Sequence, residues 1–423
     1  MLSRIVLFLL ITVTFLNAVD ARMEIIKRKS TLPNIVISIA KESVSSKLAS
    51  KIKSLIEKDL EVSGHFQTKN ISFSEYFNSI PILGTLKKND IDLFINIHLE
   101  SALYGNIIVN VKLYDINSNE MILTKSYSIS KEDRYPFLSH KIAIDINKYF
   151  NAPSIDWMDK FVIFARYKNA KESEIIISDY TLTYQKVVVS GGLNIFPKWT
   201  NRKQESFYYT SYSGVVPALK KQNIYTSKVS KIASSDGMVI CSDISDQESK
   251  IVLTMAPNSQ PDIYVYDLEN KIKRRITKYK GIDVGGSFVE NNTKIVFISD
   301  RLRYPNIFAK TIGQKGVERL VYHGKNNSQC TTFDNYIAYS SRESDNEFGR
   351  NSFNLYLIST RSDFIRRLTT TGRNQFPKFS EDGDSILFIK RYHNKSYLGI
   401  IRLKYNKSFL FPLKSGKLQS IDW

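Results

Sequence analysis

Short runs of apolar and aromatic residues recur along the C-terminal two-thirds of the chain, each closed by polar loop residues. The clearest is Ile295–Phe308 (IVFISDRLRYPNIF), in which an apolar strand ends at Ser299-Asp300-Arg301 and a second strand opens at Asn306. The first strand returns from Phe161 (FVIFAR), Phe207 (FYYTS), Ile251 (IVLTM), Tyr336 (YIAYSS) and Ile386 (ILFIK). Its equivalent positions are Phe164, Tyr209, Leu253, Phe297, Tyr339 and Phe388, spaced 45, 44, 44, 42 and 49 residues apart. The following strand is read from Glu174 (EIIISD), Asn223 (NIYTS), Asp262 (DIYVYD), Asn306 (NIFAK) and Asn354 (NLYLIS). A last, short one is read in RRIT (Arg274–Thr277), ERLV (Glu318–Val321) and RRLT (Arg366–Thr369). Leaders precede several repeats: FPKWT from Phe196, MVICS from Met238 and FPKFSEDG from Phe376.

Four short strands at this period predict the blades of a six-bladed propeller. One four-stranded sheet leaves both faces open to water, and stacking blades into a ring covers them. The aromatic and β-branched bias suits strands buried on both faces. Ring closure is written at the ends, because Ser154-Ile155-Asp156-Trp157 returns as Ser420-Ile421-Asp422-Trp423. Trp157 stands only seven residues before Phe164, too tight for a strand plus a turn. The C-terminal copy is therefore expected to supply the innermost strand of the first blade.

Upstream the pattern changes. Asn34–Ala40 reads as a strand, and Val44, Leu48, Ile52, Leu55, Ile56 and Leu60 follow at helical spacing, giving a helix over Ser45–Leu60 that ends near Gly64. Asp92–Leu99, Ile107–Tyr114 and Met121–Ile129 read as strands, the last two as a hairpin. Leu138, Ile142, Ile146 and Tyr149 mark a second amphipathic helix, expected on the same sheet face as the first. The expected fold is an α+β N-terminal domain over residues 22–150, then an all-β six-bladed β-propeller over residues 154–423.

Residues 1–21 read as an export signal, with Arg4, an apolar run over Ile5–Leu16, and cleavage after Ala18 or Ala21. That run is shorter than the ~20 residues of a membrane span. Cys241 and Cys330 fall in the leaders of blades three and five, which are not neighbours, so two free thiols are expected. The formal charge is +19. Its basic residues are spread through the sequence and read as a solvated surface, and an exported protein rarely meets nucleic acid.

Candidate chemistry is sparse. The sequence carries no G-x-S-x-G elbow, P-loop or dinucleotide fingerprint. His65, His98, His140, His323 and His393 lack metal-ligand spacing, although His323 and His393 could meet near one rim. Glu381-Asp382-Gly383 reads as a turn rather than an acid pair. Asp300 and Arg301 fit either a rim ligand or an ion pair with each other. Strand order places the long loops Tyr212–Gln222, Asp300–Pro305 and Arg342–Asn351 on one rim, where binding is expected. Neither cofactor nor metal is implied, and no small-molecule substrate.

These residues resemble the TolB family of the Tol–Pal cell-envelope system over nearly the whole mature chain. Phe297–Phe308 is similar to the family's F-x-S-D-R-x-G-x-P-x-I-Y stretch, and FPKWT and FPKFSEDG to its P-x-W-S-P-D-G leaders. Asp59–Phe66 (DLEVSGHF) is similar to its D-L-x-x-S-G-x-F. Thr200–Lys203, Ser242–Gln247 and Phe288–Asn292 depart from the family's S-P-D-G turn.

The resemblance implies a non-enzymatic periplasmic adaptor, acting as a monomer, that supports outer-membrane integrity and constriction at cell division. It implies that the propeller rim binds the lipoprotein Pal through Ser235, Asp236, Met238, Ile298, Ser299, Asp300 and Arg301. It implies that Val19, Asp20, Ala21, Arg22, Met23, Glu24 and Ile25 bind TolA by adding a strand to a partner's sheet. Other outer-membrane proteins are further expected partners. The competing readings are a propeller lyase or hydrolase acting on envelope polysaccharide, and a polyanion-binding module.

Overall fold

The computed structural model describes residues 32–102, 105–343 and 352–423. The expected export signal and the expected TolA-binding residues Val19–Ile25 lie outside them, as does most of the loop expected at Arg342–Asn351. Contacts divide the chain between Asp159 and Lys160 into two compact units.

In the first unit, strands β1 (Asn34–Ile39), β2 (Gln67–Thr68), β3 (Leu93–Ser101), β4 (Ile107–Asp115) and β5 (Glu120–Ile129) form one sheet, ordered β2-β1-β3-β4-β5. β1 pairs in parallel with β2 and β3, and the remaining pairs are antiparallel. Helices α1 (Ser46–Ser63) and α3 (Tyr135–Tyr149) cover one face, as expected, and α2 (Gly84–Lys88) intervenes in the chain. Ile35, Ile37, Ile95, Ile97 and Val111 meet Leu48, Ile52 and Ile56 of α1 and Ile142 and Ile146 of α3. Val36, Phe94 and Tyr114 point the other way and are covered by Leu83, Leu86 and Ile91, a layer that periodicity alone did not reveal.

The DLEVSGHF motif is the end of α1 made chemical. Asp59, fully buried, accepts from Nδ1 of the equally buried His140 at 2.8 Å and so ties α1 to α3. Gly64 takes φ 80 and donates its N–H to the Glu61 carbonyl, the left-handed cap that an L side chain resists. Phe66 then enters the core.

The second unit is six four-stranded blades. Blade one takes Lys417–Asp422 as its inner strand, then Val162–Tyr167, Ser173–Ser178 and Gln185–Val189. Ile421 pairs with Phe164 and Asp422 with Ile163, so the C-terminal copy of the repeated tetrapeptide does clasp the ring. The N-terminal copy runs into a 3-10 helix, Asp156–Asp159, with Trp157 buried. The inner strands of the other blades are Asn194–Trp199, Val239–Ile244, Asp283–Val289, Lys325–Phe333 and Arg373–Phe379.

The aligned aromatic position faces backwards around the ring. Tyr209 packs on Ile163 and Ile175 of the preceding blade, Leu253 on Tyr208 and Leu219, and Phe297 on Val252 and Ile263. Tyr339 likewise meets Val296 and Ile307, and Phe388 meets Ala338 and Leu355. Burial of each such Phe contributes roughly 2–3 kcal/mol, and no blade can bury its own copy alone.

Blade two departs from expectation. Its third strand is Ala218–Asn223 and its outer strand Val229–Ser234, so NIYTS from Asn223 is a turn and the rim loop ends at Pro217 rather than Gln222. Asn223 decides this: its Oδ1 accepts the N–H groups of Tyr225 and Thr226, each at 2.9 Å. With Lys220 and Lys221 in it, the true strand lacks the apolar signature of its counterparts.

Candidate functional site

The sequence-predicted rim residues fall into two groups on adjacent blades. In blade three, Ser235 is buried, Met238 is half-buried and Asp236 is exposed. The Asp236 carboxylate accepts the Asn258 N–H at 2.9 Å, which holds its pKa below the usual range. Gly237 is required here, since a Cβ would stand 2.3 Å from the Ala256 carbonyl oxygen.

In blade four, Ile298 and Ser299 are buried within the sheet and Asp300 and Arg301 are half-buried. Asp300 and Arg301 do not pair with each other. Asp300 accepts the Ile282 N–H at 2.8 Å. Arg301 Nη2 donates to both oxygens of the fully buried Asp283 at 2.9 Å, and its Nε donates to Ser299 Oγ at 2.8 Å. Its guanidinium also lies 5.0 Å from the Tyr279 ring and 5.1 Å from that of Phe308. The pairing lies within one blade because Asp283 opens the inner strand directly beside the end of the second. Arg301 is thus a strut that fixes the loop after it.

That loop displays Leu302 and Tyr304, 53% and 54% exposed, and Ile282 stands beside it at 45%. On the same rim Val215 is fully exposed, Tyr322 is 77% exposed, and Tyr212 and Tyr392 are partly so. The sequence reading treated the aromatic residues as strand residues buried on both faces and so missed this set. The available signal was their position outside the alternating strands, in loops. His323 packs against Tyr356, centroids 4.5 Å apart with the rings tilted by 47°, and His393 stacks on Tyr392 at 4.0 Å, so the two histidines have separate partners. The Glu381–Gly383 stretch is a turn, with Gly383 at φ 74.

A second cluster lies on the inner strands. Lys198 Nζ reaches Asp422 at 3.2 Å and Asp243 at 3.8 Å, joining blades one, two and three. Asp422 also accepts the Trp199 N–H at 2.9 Å, and Asp243 that of Phe288 at 2.8 Å. Burial opposes the Lys198 charge, but the two carboxylates outweigh it and raise the pKa above the ordinary lysine value. Lys378, the matching lysine of the second F-P-K segment, has its pKa lowered by burial and by the nearby Lys198 charge. Cys241 and Cys330 are free and buried beside this layer, and burial pushes both thiols up to about 12. This arrangement cross-links blades. Among the described residues, no three His, Cys, Asp or Glu side chains are placed to hold a metal ion.

Comparison with known proteins agrees with this architecture. Residues 159–423 match the TolB beta propeller domain family and residues 21–122 the TolB amino-terminal domain family. The chain is 45% identical to the Tol-Pal system protein TolB of Wolinella succinogenes, over 99% of this chain and 100% of that one. It is 42% identical to that of Campylobacter jejuni, with both chains fully covered. The crystal structure of TolB from Acinetobacter baumannii superposes with a TM-score of 0.77 at 20% identity, over 92% of this chain and 96% of that one, which bears on the fold alone.

Proposed function

The chain belongs to the TolB family of Tol-Pal system proteins, a non-enzymatic envelope family, and from that premise we propose that it is a periplasmic adaptor. Its propeller rim binds the lipoprotein Pal, and its N-terminal segment, Val19–Ile25, binds TolA. The observation that carries the first half is the set of exposed apolar and aromatic side chains on the long-loop rim. Tyrosines displayed on a rigid scaffold give large contact area at small entropic cost. The struts beneath them, Arg301–Asp283 and Asp236–Asn258, hold the loops in one shape before a partner arrives.

The seven rim residues divide accordingly. Asp236, Met238, Asp300 and Arg301 border the contact surface, while Ser235, Ile298 and Ser299 support it from within. The TolA half rests on the family premise and on the extended reading of the segment, which can add a strand through main-chain bonds. The export signal read at residues 1–21 and the Tol-Pal relatives support the periplasm as its compartment. No described helix is long and apolar enough to cross a membrane.

The test is a pull-down of the mature protein with the Pal-like lipoprotein domain of the same organism, at low and high salt, with and without residues 19–27. Salt-resistant binding that survives the truncation is expected. Loss of binding at modest salt would overturn the rim assignment.

A further inference from the structure

The charge that looks scattered along the sequence is concentrated by the fold. Residues 206–235 contain no Asp or Glu, and neither do residues 270–282. The first stretch ends in the outer strand of blade two, Val229–Ser234, and the second contains the outer strand of blade three, Lys273–Arg275. The two blades pack directly together in one core, Tyr208 and Leu219 of the one with Leu253 and Tyr264 of the other, and Ile232, Ala233, Tyr266 and Leu268 border that core. Their outer walls are therefore neighbours.

Lys228, Lys231, Lys271, Lys273 and Arg274 are all exposed on these walls. Arg275 is occupied by the buried Asp262, but these five have no acidic partner among the described residues. The closest carboxylates along the chain, Asp267 and Glu269, belong to the turn before Lys271, and Asp267 accepts the N–H groups of Glu269 and Asn270. Between the lysines stand Tyr225, Ile272 and Val229, 73%, 63% and 46% exposed. The two turns that carry Tyr225 and Ile272 join third to outer strand. They lie at the opposite end of the blades from the long loops of the Pal-facing rim.

We propose that this wall of blades two and three docks the protein on an anionic phospholipid surface, with the five cations over lipid phosphates and the three apolar side chains at the headgroup boundary. Unpaired basic side chains near such a surface each add to the attraction, and lysine stems and tyrosine rings tolerate a half-wet, half-apolar setting. The interspersed apolar residues favour a lipid surface over an acidic protein, which would be read by the charges alone. Docking through this wall leaves the long-loop rim free.

The test is co-sedimentation of the full mature chain with phosphatidylglycerol–phosphatidylcholine vesicles and with pure phosphatidylcholine vesicles. One variant carries Lys228→Gln, Lys231→Gln, Lys271→Gln, Lys273→Gln and Arg274→Gln. A charge-matched control carries Lys315→Gln, Lys395→Gln, Lys404→Gln, Lys407→Gln and Lys414→Gln, all at exposed positions elsewhere. Partition into anionic vesicles is expected to fall about tenfold or more in the first and only slightly in the second. A third variant, Tyr225→Ser with Ile272→Ser, should weaken partition with the cations intact. Equal losses in the two charge variants, or no partition of the unaltered protein, would overturn the proposal. So would binding indifferent to the serine changes and abolished by soluble polyglutamate, which would assign the wall to an acidic protein partner.

Discussion

The carboxylate of Asp422, one residue from the C-terminus, accepts the backbone N–H of Trp199 at 2.9 Å and the ammonium of Lys198 at 3.2 Å. The last strand thus holds blade one through its own sheet and blade two through side chains, Asp422 foremost and Ser420, whose Oγ accepts the Phe196 N–H at 3.1 Å. Asp422→Ala would leave Lys198 with only the longer contact to Asp243, in a site shielded from water. The expected loss is about 3 kcal/mol, read as a lower urea midpoint. A midpoint unchanged within error would refute the clasp.

The two F-P-K lysines should behave oppositely. Lys198→Met strips two carboxylates of their partner and is expected to destabilise the propeller. Lys378→Met removes a charge that burial and Lys198 disfavour, and is expected to be neutral or stabilising. The sign follows from linkage: a lysine whose folded pKa lies below its unfolded value of 10.5 favours folding when neutral. Its favourable contribution is present above the unfolded pKa and is lost as pH falls through the lowered folded value. The difference between Lys378→Met and the unaltered protein should therefore shrink as pH rises towards 10.5. Thermal melts of both variants across neutral to alkaline pH decide it.

Arg301→Lys keeps the charge but cannot hold Asp283 and Ser299 Oγ at once from two separate nitrogens of a planar group. A loss of roughly 1–3 kcal/mol in folding free energy is expected, together with weaker Pal binding as the Leu302–Tyr304 loop loosens. Tyr304→Ala and Tyr322→Ala should instead leave the urea midpoint unchanged and reduce Pal affinity about tenfold each. Calorimetric titration beside urea unfolding separates the two patterns, and a stability loss from Tyr322→Ala would contradict the assignment.

Both thiols should be silent in the folded protein. With pKa values pushed to about 12, Cys241 and Cys330 hold almost no thiolate at pH 8, and both are buried. A thiol-reactive chromophore is expected to report two groups only after denaturation. Rapid reaction of either without denaturant would show that the inner strands open.

Gly64→Ala forces a Cβ into the left-handed cap of α1. About 1 kcal/mol of destabilisation is expected, and circular dichroism during urea unfolding measures it.

The sequence by itself determined the repeat, its six copies and the equivalent strand position in each copy. Each follows from local alternation summed over a fixed period, and the helices at Ser46–Ser63 and Tyr135–Tyr149 follow from spacing in the same way. Tertiary structure decided what identical or equivalent segments do. Ser154–Trp157 and Ser420–Trp423 share four letters, yet only the second finds an open sheet edge, beside Val162–Tyr167, and becomes a strand. Lys198 and Lys378 share a motif, yet the ring places only the first within 4 Å of two carboxylates. The NIYTS segment looked like a strand until one asparagine side chain closed a turn. Lysines scattered along two stretches became one wall because neighbouring blades set them side by side. Periodicity names equivalent positions, whereas partners 224 residues apart meet only when the ring closes.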